Sequence, residues 1–145
     1  MRAQPTGAIQ QPETFAAGAT PVRVLVVDDN AAHRRFGRCL FESLGCEVWV
    51  AEDGLEAVRL ANTAPLDLIL MDRHMPRCDG DAAAQQIRDS AGPSRHALIV
   101  SHSSNPPRGR DAAAYDAVIG KPARVVEVAH LVTLRRRRVS RLRAA

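Results

Sequence analysis

Short apolar segments alternate along the chain with segments whose apolar residues recur at helical spacing. The apolar segments are four to six residues long and rich in Val, Leu and Ile, which is typical of strands buried on both faces. They predict strands at 22–27, 47–51, 66–71, 97–101 and 117–120. The helical pattern predicts helices at 31–44, 54–63, 81–90 and 124–134, the last continuing into the arginines that follow.

The segment between the fourth and fifth predicted strands interrupts this pattern. Pro106, Pro107 and Gly109 disfavour a helix over most of residues 103–110, because proline lacks the N–H that a helix interior needs. Residues 112–115 predict at most a single turn. Strands that alternate with helices imply right-handed crossovers, so the sequence predicts an α/β fold: a doubly wound parallel sheet of five strands with a short or irregular fourth helix.

An apolar stripe runs along the first predicted helix. Its members recur at intervals of three, one and four residues, the pattern of one helix face. They are Phe36, Cys39, Leu40 and Leu44. We expect this stripe to face the sheet.

Composition restricts the class of protein. At 145 residues and 46% hydrophobic content, the chain is long enough for one domain with its own core. No apolar run predicts a membrane span or a secretory signal. Aromatic residues make up 3% of the chain, which excludes an aromatic platform for single-stranded nucleic acid. The three cysteines form no metal or disulfide pattern, which favours a cytoplasmic location.

The net charge of +4 is unevenly distributed. Residues 1–21 carry no net charge and predict a disordered tail. Residues 22–134, the predicted domain, sum to −2, and residues 135–145 hold six arginines and no acid. The body of the protein therefore does not predict nucleic-acid binding. The arginines are typical of a solvated helix end, with docking to an acidic partner, a membrane surface or nucleic acid as the alternative.

Polar side chains follow the predicted strands at the point where each strand ends. Asp28 and Asp29 follow the first strand, Asp72 the third, Ser101 ends the fourth and Lys121 follows the fifth. Since ligands of open parallel sheets bind at the carboxyl ends of the strands, these groups are expected to converge. Clustered carboxylates need a cation, and oxygen ligands suit Mg²⁺. With a lysine and a hydroxyl beside them, they predict a phosphoaspartate site.

Each of these residues also has a structural interpretation. Asp28 and Asp29 alone would cap the first helix, Asp72 alone would be a turn residue, and Lys121 alone would be a surface lysine. Only the joint arrangement favours a site. Competing phosphate chemistry lacks its motifs, because the chain has no P-loop, no dinucleotide fingerprint and no Asp-x-Asp after the first strand. Of the five histidines, only His74 and His102 are expected beside the site; His33, His96 and His130 are interpreted as surface residues.

Residues 22–134 resemble a receiver domain of the two-component response regulators. The motifs are Val24 to Asn30, Leu70 to Pro76 with Asp79-Gly80, Ser101, and Gly120-Lys121-Pro122. The resemblance implies a flavodoxin-like sheet of order 2-1-3-4-5.

The resemblance also assigns roles to the residues at the strand ends. Asp72 would be the phosphoacceptor, with Ser101 and Lys121 contacting the phosphoryl group. Mg²⁺ would be the cofactor. Its ligands would be the carboxylates of Asp28, Asp29 and Asp72 and the backbone carbonyl of His74. Side chains at His74 and Ser103 would position the water that later hydrolyses the acyl phosphate.

Three departures from the family pattern modulate these expectations. Val118 stands where the family usually has Tyr or Phe, so we expect the signal to leave through the loop 101–110 instead. His102 stands where a small residue is usual, so small phosphodonors should react slowly. The interrupted fourth helix predicts a remodelled face where many receivers dimerise or bind targets.

The predicted function is that of a cytoplasmic single-domain response regulator that accepts a phosphoryl group from a histidine kinase or histidine phosphotransfer protein. It would be a signalling phosphoacceptor, not an enzyme with turnover, and no DNA-binding output domain is expected. Two alternatives stay open. One is a pseudo-receiver that acts as an interaction module without phosphorylation, and the other is a receiver domain excised from a hybrid histidine kinase.

Overall fold

A computed structural model describes residues 20–144, with side chains described through residue 136. The strands are β1 (Arg23–Val27), β2 (Glu47–Ala51), β3 (Leu68–Asp72), β4 (Leu98–His102) and β5 (Ala117–Ile119). The helices are α1 (Ala31–Ser43), α2 (Gly54–Thr63), α3 (Gly80–Asp89) and α4 (Val125–Ala144), with one 3₁₀ turn at Gly109–Ala112.

The five strands form one sheet in the order β2-β1-β3-β4-β5, and every neighbouring pair is parallel. The predicted fold class and strand order are thus confirmed. Since β1 and β3 are adjacent and their crossovers lie on opposite sides, the switch in strand order falls between them. The carboxyl ends of β1 and β3 therefore border the crevice in which such sheets bind ligands.

Apolar side chains fill both faces of the sheet. All five residues of β3 are buried, as a central parallel strand requires. One cluster packs α2 and α3 against the sheet, with Ile69, Met71 and Ile87 at its centre. The other packs α1 and α4 against the opposite face, where Phe41 and Val128 are fully buried.

The crossover from β4 to β5 contains only a 3₁₀ turn among the described residues, at Gly109–Ala112. The expected irregular fourth helix is therefore observed. Pro106 and Pro107 lack amide donors, and Gly109 has a positive φ of 58°, a conformation that glycine adopts readily. The short turn leaves Val118 of β5 47% exposed.

The expected buried stripe of α1 is confirmed at Leu40 and Leu44, which pack against the core, and is wrong at its other two positions. Phe36 is 56% exposed and Cys39 is exposed, whereas Gly37 and Phe41 are the buried residues. Gly37 decides the rotation of the helix. A Cβ at this position would lie 2.9 Å from the Val26 side chain, so α1 approaches β1 most closely there. Two apolar spacings overlap in this segment, and the close approach at Gly37 selects the one through Phe41.

The remaining predictions about the fold concern the two ends of the chain. Residues 1–19 lie outside the described part of the structure, so the predicted tail stays a prediction. The last helix does continue through the arginine run, to Ala144. Within the described residues, no helix combines the length and apolar character needed to cross a membrane.

Candidate functional site

The carboxyl edge of the sheet brings the predicted carboxylates together. Asp28 and Asp29 follow β1, and Asp72 is the last residue of β3. One carboxylate oxygen from each of the three lies within 4.8 Å of the others. Asp28 and Asp72 are buried, and Asp29 is exposed at the mouth of the cluster. This is the arrangement that parallel strands with acidic carboxyl ends produce.

Lys121 reaches into this cluster from the loop after β5. Its Nζ lies 3.1 Å from Asp72 Oδ1 and 3.3 Å from Asp28 Oδ2. Asp28 is further held by the backbone N–H of Asn30, which donates to its Oδ1 at 2.9 Å. One ammonium thus bridges two buried carboxylates that come from different strands.

The electrostatics of the cluster leave a surplus of negative charge. Burial raises the pKa of Asp72, and Asp28 raises it further, while the hydrogen bond with Lys121 opposes both. Burial alone would lower the pKa of Lys121, but its contacts with Asp72 and Asp28 outweigh burial and raise it. Three carboxylates facing one ammonium, with oxygen as the donor atom throughout, fit a hard divalent cation such as Mg²⁺.

Ser101 supplies a hydroxyl beside the acidic cluster. It pairs in register with Met71, directly before Asp72, and is fully buried. Its Oγ makes no hydrogen bond with any described residue. A buried hydroxyl normally has a partner, so this donor fits an oxygen-rich group bound at Asp72.

His74 and Ser103, the two residues expected to position water, lie on loops that border the site. His74 is exposed, and its backbone N–H donates to Asp72. Ser103 is buried, and its Oγ accepts from the Asn105 N–H at 3.1 Å. The His74 carbonyl as a metal ligand stays a prediction.

His102 ends β4 opposite Asp72 in the sheet register. Burial, together with nearby Lys121, lowers the pKa of His102 to about 4. The imidazole is therefore neutral at pH 7. Its Nε2 is buried and has no hydrogen-bond partner among the described residues.

His33 is exposed, as the sequence suggested, and it also contacts the site, which the sequence did not predict. Its Nδ1 lies 3.4 Å from Asp28 Oδ2. Asn30 caps α1 and accepts from the His33 N–H at 3.1 Å, so the first turn of the helix brings this imidazole back over the end of β1. The signal in the sequence was the position of His33, three residues after Asn30, a residue type that favours the N-cap of a helix.

A second feature that the sequence did not predict surrounds Arg73, the residue after Asp72. Its guanidinium is buried and donates two hydrogen bonds to the Asp81 carboxylate, at 3.0 and 2.8 Å. A third goes to the Asn105 carbonyl at 2.6 Å. The Tyr115 hydroxyl donates to Asp81 Oδ1 at 2.8 Å. We call these four residues the Arg73 network; it ties the end of β3 to α3 and to the loop after β4.

Comparison with known proteins agrees with this geometry. The model of the response regulator receiver domain family matches residues 24–133. The chain belongs to this family. Among curated relatives, a gliding motility regulatory protein of Myxococcus xanthus is 37% identical over 122 residues, which cover 81% of this chain and 16% of that protein. A two-component response regulator of Arabidopsis thaliana is 32% identical, over 61% of this chain and 64% of its own length.

Solved structures of receivers superpose on the domain. The receiver of a sensor histidine kinase from Pseudomonas aeruginosa, solved with a magnesium ion in its active-site cleft, is 26% identical with a TM-score of 0.71, covering 81% of this chain and 98% of that one. A receiver from Saccharomyces cerevisiae, solved in complex with a histidine phosphotransfer protein, is 25% identical with a TM-score of 0.68, covering 78% and 87%.

The matches concern the receiver domain and not the whole of each relative. The matched regions span 16% of the Myxococcus protein and 9% of a sensor histidine kinase from Pseudomonas protegens. The family and the phosphoacceptor role that defines it follow from these matches. The activities of the longer relatives do not.

Proposed function

We propose that Asp72 is the phosphoacceptor of this receiver domain and that it reacts with a phosphohistidine in the presence of Mg²⁺. The observation that carries the proposal is the position of the Asp72 carboxylate. It lies 3.1 Å from Lys121 Nζ, inside a cluster of three carboxylates, beside a buried Ser101 hydroxyl that has no partner among the described residues. No single structural role accounts for all of these features together.

The transfer step follows from these positions. A carboxylate oxygen of Asp72 attacks phosphorus as the P–N bond of the donor breaks, and the donor imidazole leaves with the bonding electron pair. Lys121 neutralises charge on a phosphoryl oxygen, and Ser101 donates a hydrogen bond to another. When bound, Mg²⁺ would supply further positive charge; Asp28, Asp29, Asp72 and the His74 carbonyl would hold it.

The product is an acyl phosphate, and its lifetime sets the duration of the signal. Water attacks phosphorus and restores the Asp72 carboxylate, with His74 and Ser103 at the border of the site to orient that water. The output is a change of surface and not a released product, so the domain is a signalling component without substrate turnover. Arg73 donates a hydrogen bond to the Asn105 carbonyl in the loop after β4. This contact favours the loop as the route by which the signal passes from the site to the surface.

The phosphodonor we propose is a histidine kinase or histidine phosphotransfer protein in the cytoplasm. The yeast complex supports this class of partner, since that related receiver was solved bound to such a protein. Both contexts, a single-domain regulator and the receiver of a hybrid kinase, are consistent with the relatives.

Phosphotransfer tests the proposal directly. A radiolabelled histidine phosphotransfer protein should label the wild-type chain, and chelation of Mg²⁺ should abolish the labelling. Asp72→Asn, which keeps the shape of the side chain, should remain unlabelled. Asp89→Asn, at an exposed aspartate of α3, is the matched control and should be labelled normally. Labelling of the Asp72→Asn variant would refute the assignment.

A phosphorylation-independent interaction module is the second candidate. It is favoured by Val118, which is 47% exposed and offers no ring to report on the site. Beryllofluoride, a stable mimic of the phosphoryl group, separates the two functions. A phosphoacceptor binds it with Mg²⁺ and shifts the resonances of the site, whereas an interaction module of this kind leaves them unchanged.

A further inference from the structure

A cavity of about 440 Å³ opens between α1 and the loop that joins β5 to α4. Its walls are mainly apolar. Phe36, Leu40 and Phe41 line it from α1, Leu70 from β3, and Ala123 from the opposite loop. A volume of this size is within the range of small-molecule binding sites, which are typically ~300–1,000 Å³.

Two small residues are among those that line this space. Gly37 places the α1 backbone close to Val26, and Ala123 offers only a methyl group from the other wall. Phe36, 56% exposed, stands at the side of the opening. The cavity is therefore open to solvent and is lined by apolar surface that an occupant would cover.

Four polar residues also line the cavity, including Asp28 and Lys121 of the proposed phosphorylation site. They are Asp28, His33, His102 and Lys121. Asp28 and Lys121 pair with each other. The Nε2 atom of His102 is buried and exposes almost no surface, so an occupant meets mainly apolar atoms.

The charges along the lining select the class of occupant. Of the acidic cluster only Asp28 lines the cavity, and its carboxylate pairs with the Lys121 ammonium. A charged head group, anionic or cationic, would have to break this pair to find a counter-charge. An uncharged and mainly apolar molecule therefore matches the lining.

We propose that this cavity binds a small uncharged molecule with an aromatic or branched aliphatic body, and that binding weakens phosphorylation at Asp72. The effect on phosphorylation rests on the proposed function. Lys121 and Asp28 belong to both sites, so an occupant excludes water from their ion pair. A lower local dielectric strengthens that pair and holds Lys121 back from a phosphoryl oxygen.

Indole and phenol are suitable probes, with benzoate and benzylamine as charged analogues of similar size. In NMR titrations of the full chain, indole or phenol should shift the resonances of Gly37, Leu40, Leu70 and Ala123 saturably. The charged analogues should bind at least about tenfold more weakly, a difference of about 1.4 kcal/mol. Equal binding of all four probes would overturn the proposed ligand class.

Filling the cavity provides the structural control. Ala123→Leu should abolish the titration, and Ala113→Leu, at an exposed alanine on the other side of the sheet, should leave it unchanged. The backbone spectrum of each variant shows whether it is folded. Absence of saturable shifts in the wild type, or shifts that persist in Ala123→Leu, would overturn the proposed site.

The regulatory half has its own measurement. Saturating indole should weaken Mg²⁺-dependent beryllofluoride binding by about fivefold or more, the lower end of ordinary coupling between sites. Beryllofluoride should weaken indole binding by the same factor. Ala123→Leu should make beryllofluoride binding insensitive to indole. Indole binding with unchanged beryllofluoride affinity would overturn the regulation. If beryllofluoride does not bind even without indole, the proposed function fails. The NMR titrations then still show whether the cavity binds indole.

Discussion

The Arg73 network predicts that the Tyr115 hydroxyl stabilises the fold through Asp81. Tyr115→Phe removes one hydrogen bond, 2.8 Å long, to a half-buried carboxylate. Hydrogen bonds to charged groups contribute about 1.5–3 kcal/mol. Arg73 still donates to both oxygens of Asp81 in this variant, so the carboxylate does not lose all its partners. The expected loss of unfolding free energy is therefore near the lower end, about 1.5 kcal/mol.

Urea unfolding at pH 7 measures this loss, and a double-mutant cycle assigns it to the contact. In an Asp81→Ala background the hydroxyl has no carboxylate acceptor, so the further change Tyr115→Phe should alter the unfolding free energy by less than about 0.5 kcal/mol. The cycle should give a coupling of about 1 kcal/mol between the two side chains. If Tyr115→Phe destabilises both backgrounds equally, the hydroxyl acts elsewhere and the reasoning about the network is wrong.

Three further predictions concern the network and the site. Burial alone would raise the pKa of Asp81, but the hydrogen bonds from Arg73 and Tyr115 outweigh it and lower the pKa. The stabilisation is therefore present above the unfolded value of 3.8 and is lost as the pH falls through the lower folded value. Between pH 7 and pH 2, the unfolding free energy measured in urea should fall more steeply for the wild type than for Asp81→Asn. Parallel pH profiles of the two proteins would contradict this. His102→Ala should speed phosphorylation by phosphoramidate several-fold because the approach to Asp72 widens, while the exposed His96→Ala should not; equal rates for His102→Ala and wild type would refute the steric argument. Lys121→Arg should keep the fold and much of the phosphorylation, but a planar guanidinium should fail to reproduce the activated conformation; NMR shifts on phosphorylation that match the wild type would contradict it.

Much of the fold followed from the strand pattern. The third and fourth strands end one residue later than predicted, at Asp72 and His102, which leaves the order and the crossovers unaffected. The convergence of Asp28, Asp72 and Lys121 was predictable because parallel strands place their carboxyl ends at one edge of the sheet.

The remaining features depend on side-chain geometry that a linear pattern does not encode. The rotation of α1 follows from the close approach of Gly37 to Val26, and apolar spacing treats Phe36 and Phe41 alike. Arg73 meets partners that lie 8 and 32 residues away along the chain. The cavity depends on how α1 and the loop after β5 are spaced, which no hydrophobic pattern reports.

Chemical trapping of the acyl phosphate tests most directly whether Asp72 carries it. Borohydride reduces an acyl phosphate of aspartate to homoserine, so reduction of the phosphorylated chain followed by peptide mass spectrometry identifies the modified position. We expect homoserine at residue 72, dependent on both Mg²⁺ and the phosphodonor. Homoserine at position 28 or 29, or none at 72 in a chain that has taken up phosphate, would contradict it.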